Sequence, residues 1–216
     1  MLQSVSFVNP YMFSRAFVAM TLLLSLGAVS SAYAQDGETP TDETLIQGIQ
    51  SSGGYGAPTV ALTSVHGEWA VLSGGQGGWI LNRQFVLGGA GRGLATLPST
   101  SVNGVEREIQ MGYGGLLLEY IGAPSELVHY GLSAVIGGGS VQLVRDGYDH
   151  RDDEAFDQSA LFVTEAGGRL ELNVTSFFRM GVGGGYLFVS GSDVATVSDA
   201  DLRGPYGELS LRFGSF

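Results

Sequence analysis

Glycine-rich apolar stretches fill most of this chain, and the segments that separate them alternate between tight and long. Residues 82–84, 122–126 and 173–176 make tight connections, while 98–106, 145–158 and 191–203 make long ones. A chain that crosses back and forth in this way builds an object with two unlike ends. With an even number of crossings, that pattern predicts an antiparallel membrane-spanning β-barrel, with turns at one rim and loops at the other.

The N-terminal residues read as an export leader. Arg15 is the one charge before an apolar run over 16–29, and Ala32-Tyr33-Ala34 supplies the small residues of a cleavage site. The expected division is a signal peptide over 1–34, a polar periplasmic lead-in over 35–54 and a barrel over 55–216. No later stretch reaches the roughly 18 uninterrupted apolar residues that a helical span needs, so any crossing of a membrane falls to strands. Zero cysteines exclude disulfides and a lipidated N-terminal cysteine. The formal charge of −11 becomes one unit more negative once the leader's Arg15 is removed, and a chain so acidic does not suit nucleic acid, whose phosphates call for a basic footprint.

Eight strands are expected, at about 57–65, 68–81, 85–97, 107–121, 127–144, 159–172, 177–190 and 204–216. Each meets or approaches the roughly 9 to 11 residues of a tilted membrane strand. Period-two alternation then assigns faces. Val128, Tyr130, Leu132, Ala134 and Ile136 share one face and His129, Gly131, Ser133 and Gly137 the other; likewise Phe178, Met180, Val182, Tyr186 and Phe188 oppose Arg179, Gly181, Gly183 and Gly185. The apolar faces should meet lipid. In the fourth strand Ile109, Met111 and Tyr113 fall out of phase with Leu116, Leu118 and Tyr120, and a bulge at Gly114-Gly115 is expected to restore one apolar face. Trp69, Trp79, Phe85, Tyr120, Phe178, Phe188 and Tyr206 fit interfacial girdles.

With this architecture, and with the terminal run Leu209-Ser210-Leu211-Arg212-Phe213-Gly214-Ser215-Phe216, the chain resembles the small bacterial outer-membrane barrels of the OmpA-like and OmpW-like type. The resemblance covers roughly residues 54–216. It implies an all-β, eight-stranded up-and-down barrel in the outer membrane, with outer-membrane lipids and the barrel assembly machinery as partners. It also makes Phe213 and Phe216 the aromatic assembly signal, although the two differ in phase unless a bulge lies at Gly214.

The phase assignment gathers an ionic set inside: Arg92, Glu119, Glu165, Arg169, Glu171, Arg179, Glu208 and Arg212, with Gln76 and His129 beside it. An interior only wide enough for side chains should force these groups to pair, giving a plugged lumen. The many inward glycines point the other way, toward space for a small hydrophobic or ionic ligand. A lipid-modifying enzyme ranks third, because His129 and Ser133 are four residues apart on one strand face, roughly 13 Å at about 3.3 Å per residue. The loop over 145–157 holds six acids and two arginines; Asp149, Asp152, Asp153 and Glu154 are its weak metal candidates, and a solvated acidic loop is the plainer reading. Gly88-Gly89-Ala90-Gly91-Arg92-Gly93 lacks the following helix that phosphate binding requires. No cofactor is expected. The expected protein is a non-enzymatic outer-membrane barrel with a charged, plugged lumen.

Overall fold

A computed structural model describes residues 51–145 and 157–216. The chain winds through β1 (Ser52–Val65), β2 (Glu68–Leu81), β3 (Phe85–Leu94), β4 (Ser99–Val102), β5 (Val105–Gly122), β6 (Val128–Arg145), β7 (Asp157–Asn173), β8 (Phe178–Ser190), a single helical turn α1 (Asp199–Leu202) and β9 (Gly204–Ser215). Each strand pairs antiparallel with its neighbours in the order β3-β2-β1-β9-β8-β7-β6-β5, and β3 pairs with β5 to close the ring. Eight strands form the barrel wall. β4 stands outside it, as the returning arm of a hairpin that extends β5 beyond the rim.

The connections sort as their lengths require. Turns at 82–84, 123–127 and 174–177 lie at one end, here the turn end; the β4–β5 hairpin, the 191–203 segment and the His66-Gly67 turn lie at the loop end. Asn103 and Gly104 both adopt positive φ, 53° and 79°, as a tight hairpin of matching twist demands. The segment read from sequence as an open loop over 98–106 is therefore mostly paired backbone, and β3 stops at Leu94 rather than 97, where the Val71 amide donates to the Thr96 hydroxyl in place of a ladder carbonyl. β1 begins at Ser52 and draws the end of the expected lead-in into the wall. The signal peptide, most of the lead-in, and the metal candidates Asp149, Asp152, Asp153 and Glu154 lie outside the described residues.

Alternation holds along every wall strand, with Val60, Leu62, Leu132, Ile136, Phe162, Leu170, Val182, Phe188 and Leu209 exposed on the outside. An exterior of bare aliphatic and aromatic side chains around a charged interior inverts the layout of a water-soluble barrel, and it suits a cylinder embedded in lipid. Phe85, Tyr120 and Tyr130 meet as tilted rings near the turn end, and at the same end Phe178 stacks on Phe213 at 4.9 Å.

Three phase expectations are corrected. The registers of β5 with β3 and with β6 run unbroken through Gly114 and Gly115, so no bulge exists there. Ile109, Met111 and Tyr113 consequently point inward, where they join an apolar core filling the loop half of the barrel. Alternation alone cannot tell lipid from an apolar interior, since both reward the same side chains. Tyr206 belongs to that core instead of to a girdle. Nor does a bulge interrupt Gly214, which pairs directly with Tyr55; Phe216 thus turns inward while Phe213 stays outside.

Some inward glycines are obligatory for a wall this tightly curved. At Gly78 an added Cβ would lie 2.6 Å from the Leu87 carbonyl oxygen and 2.8 Å from the Gly88 Cα, so no side chain fits. Depth along the outer face gives a graded test. Ile136→Arg, midway along β6, should cost about 2 to 4 kcal/mol in urea unfolding from lipid, whereas Val128→Arg at the turn rim should cost about 0 to 1 kcal/mol.

Candidate functional site: a stacked ionic interior

The inside of the barrel is built in layers. At the loop end, the 191–203 segment and the β4–β5 hairpin fold over the mouth and lower Val102, Val194, Val197 and Leu202 into the apolar core. Polar contacts hold the lid in place. Thr100 and Thr196 share a hydroxyl hydrogen bond of 3.0 Å, and the Ala195 amide donates to Asp157 at 2.8 Å. The Ser192 amide donates to Asp199, and the His66 amide donates to the Asp201 carbonyl, both at 2.8 Å. Ser198 donates to the Asp201 carboxylate from its hydroxyl at 2.6 Å and from its amide at 2.8 Å. These bonds hold the Asp201 carboxyl below the usual aspartate range, with the hydroxyl the largest cause.

Beneath the apolar core lies a first ionic layer. Arg92 Nη2 donates to Glu208 at 2.5 Å and sits 3.4 Å from Glu165, whose other oxygen accepts the Tyr113 hydroxyl. The Arg92 guanidinium also lies 5.2 Å from the Tyr206 ring centroid. Three strands that are not neighbours, β3, β7 and β9, thus deliver one cation between two carboxylates, with two phenols closing the sides.

A second layer lies nearer the turn end. Arg212, fully buried, extends Nη2 to both oxygens of Glu119 at 2.8 and 2.9 Å and Nη1 to Glu171. Arg169 bridges the same two carboxylates, with Nε 2.5 Å from Glu171 and Nη2 on Glu119. Tyr55 donates to Glu119 at 2.8 Å and places its ring 3.6 Å beneath the Arg212 guanidinium, while Gln76 donates to the Tyr55 hydroxyl at 3.4 Å. His129 Nε2 lies 3.0 Å from Glu171. Arg179 approaches the same nitrogen at 3.3 Å, and its guanidinium rests 3.9 Å over the Phe216 ring.

All eight sequence-assigned ionic residues are therefore inside and buried, and seven of them engage a partner of opposite charge within 3.5 Å; Arg179 is the exception. The aromatic members, Tyr55, Tyr113 and Phe216, were missed. Their signal was available in the first two, because each shares its strand phase with an inward residue such as Ala57 or Glu119.

The inward glycines near this layer do not leave it empty. A Cβ on Gly131 would stand 3.2 Å from Arg169 Nη2 and 3.3 Å from its Cζ and Nε, so the glycine is the slot in which the guanidinium lies. At Gly131 the space that a side chain would fill is taken by arginine. A polar cavity of about 10 Å³ remains beside Ser133, Gly168, Arg169, Gly183, Tyr206 and Glu208, room for one water. His129 is committed to Glu171, and no group of metal-ligating side chains forms among the described residues.

No protein-family profile and no curated protein matches the chain. Among solved structures it is similar to Neisserial surface protein A (NspA), with a TM-score of 0.49 and 16% identity over 76% of this chain and 96% of that one. It is also similar to Ail, the attachment invasion locus protein of Yersinia pestis, with a TM-score of 0.42 and 11% identity over 76% and 96% of the two chains. Ail in complex with the heparin analogue sucrose octasulfate gives the same figures.

Removing one partner from a buried pair strands the other charge, at a cost of about 3 to 5 kcal/mol. Glu119→Gln should destabilise by that amount in urea titrations, because Arg212 and Arg169 both lean on it. At the lid, the folded carboxyl of Asp201 is depressed, so its stabilisation is present above the unfolded value of 3.8 and is lost as pH falls through the folded one. The Ser198 amide resonance should accordingly titrate with a midpoint below 3.8.

Proposed function

We propose that this chain is an integral outer-membrane barrel that is sealed to ions, carries out no catalysis, and meets its surroundings through its outer loops. What supports the reading is the succession of packed groups along the interior among the described residues: an apolar lid and core, one ionic layer, a second ionic layer, and the Phe216 ring. Charges interlocked in this way have given up their hydration to one another, so an entering ion finds neither a water path nor a free countercharge.

In this reading the leader ending at Ala34 directs export. The turn end faces the periplasm and the loop end faces outward, carrying the acidic 145–157 segment. Outer-membrane lipids surround the apolar wall, and the barrel assembly machinery reads β9, with Phe213 presented on the outside and Phe216 withheld within. The residues also argue against acyl chemistry at His129, because the imidazole is enclosed between Glu171 and Arg179 with a side-chain exposure of 0%.

Planar bilayers test the seal. Purified protein should produce no steady current in molar salt, and a stable ohmic conductance from the unmodified barrel would refute the sealed reading.

A further inference from the structure

The outer face of β3, β5 and β6 carries a groove of about 520 Å³ near the turn end. Two cross-strand rows of outward side chains line it: Phe85, Tyr120 and Leu132 at the rim, and Leu87, Leu118 and Ala134 one step deeper. Glu119 and Ser133 also border it, but both turn their side chains into the barrel. Ala134 is the short member of the deeper row, and its missing bulk gives the groove depth. A lining of this kind offers water no partners, so within a membrane the groove takes hydrocarbon.

The rim of the same groove carries a cation in an unusual place. Three tight turns hold two consecutive residues at positive φ: His66-Gly67, Asn103-Gly104 and Asn82-Arg83. Glycine takes the second position in the first two, at 80° and 79°, where it meets no steric cost. The β2–β3 turn has Arg83 there instead, at 62°. Arg83 is exposed, and the residues two places to either side of it, Leu81 and Phe85, both line the groove. It is the one cation in the three turns at this end, and Glu126, one turn further round, is the one carboxylate. An apolar groove that starts beside an exposed guanidinium matches a molecule with a hydrocarbon chain and a phosphate head, since the planar fork of arginine pairs with phosphate oxygens.

We propose that this groove binds an anionic glycerophospholipid of the phosphatidylglycerol type, with an acyl chain along Leu87, Leu118 and Ala134 and the phosphate at Arg83. The site rests on the reading of this wall as membrane-embedded. It differs from the lipid coating the rest of the wall in being selected at one place, by charge and by shape together.

The chain's two tryptophans supply reporter and control: Trp79 faces Leu87 across the β2–β3 ladder, while Trp69 lies at the loop end. Protein carrying Trp69→Phe is refolded into vesicles of phosphatidylcholine mixed with phosphatidylglycerol, each lipid brominated on its acyl chains in turn, and quenching of Trp79 gives their relative affinity. Phosphatidylglycerol is expected to be preferred about fivefold, the worth of one arginine at an anionic membrane surface. Arg83→Asn, which tolerates the left-handed turn, and Ala134→Leu, which fills the groove and keeps the charge, should each abolish the preference. With Trp79→Phe, the remaining Trp69 should show none. Equal quenching of Trp79 by the two lipids overturns the proposal, as does a preference that survives either substitution or is matched at Trp69. Insertion is followed separately by circular dichroism and protease protection. A chain that does not insert refutes the membrane-embedded reading and the site with it, whereas an inserted barrel that selects neither lipid refutes the site alone.

Discussion

The bidentate grip of Arg212 on Glu119, completed by its second contact to Glu171, is the interaction on which the rest of the interior depends. Three strands, β5, β7 and β9, each contribute one of these groups, so the contact ties together parts of the wall that are not adjacent. A closed eight-stranded ring leaves an interior about as wide as two opposed side chains. Charges placed there cannot retreat to water and cannot tolerate a vacancy. All but Arg179 are matched in position as well as in sign: Tyr113 directs its hydroxyl at the Glu165 oxygen that Arg92 does not face, and Tyr55 shares a Glu119 oxygen with Arg212.

Much of this architecture was legible in the sequence, because period-two alternation survives wherever one face meets lipid and the other meets charge. β6, β7 and β8 show it plainly: Leu132 against His129, Leu170 against Arg169, Met180 against Arg179. The method failed where both faces are apolar. Ile109, Met111 and Tyr113 resemble lipid-facing residues because nothing in local sequence reveals that a lid of Val102, Val194, Val197 and Leu202 covers the barrel's mouth from above. No bulge is needed at Gly114-Gly115 or Gly214, because the strand phase runs unbroken through both. Pairing was beyond reach for a different reason: which arginine meets which glutamate depends on strand stagger around the ring, and stagger is set by closure of the whole sheet.

Glycine was the most ambiguous signal. Read one residue at a time, an inward glycine is missing volume. Read against its neighbours, it is volume assigned to another side chain, as Gly131 is to Arg169, or to a facing strand, as Gly78 is to Gly88. Abundant glycine therefore marks this wall as close-packed.

The buried ionic residues among those described, four arginines and four glutamates, sum to zero. The formal charge of −11 therefore comes from the chain's other ionisable groups, and the described ones among them lie toward the rims. Such a molecule responds to salt in two separate ways. Counterions reach the rims and, at a Debye length of about 8 Å in physiological salt, mute whatever those acids attract or repel. Pairs buried in the shaft are screened far less, so the cohesion of the barrel depends less on ionic strength than its encounters do.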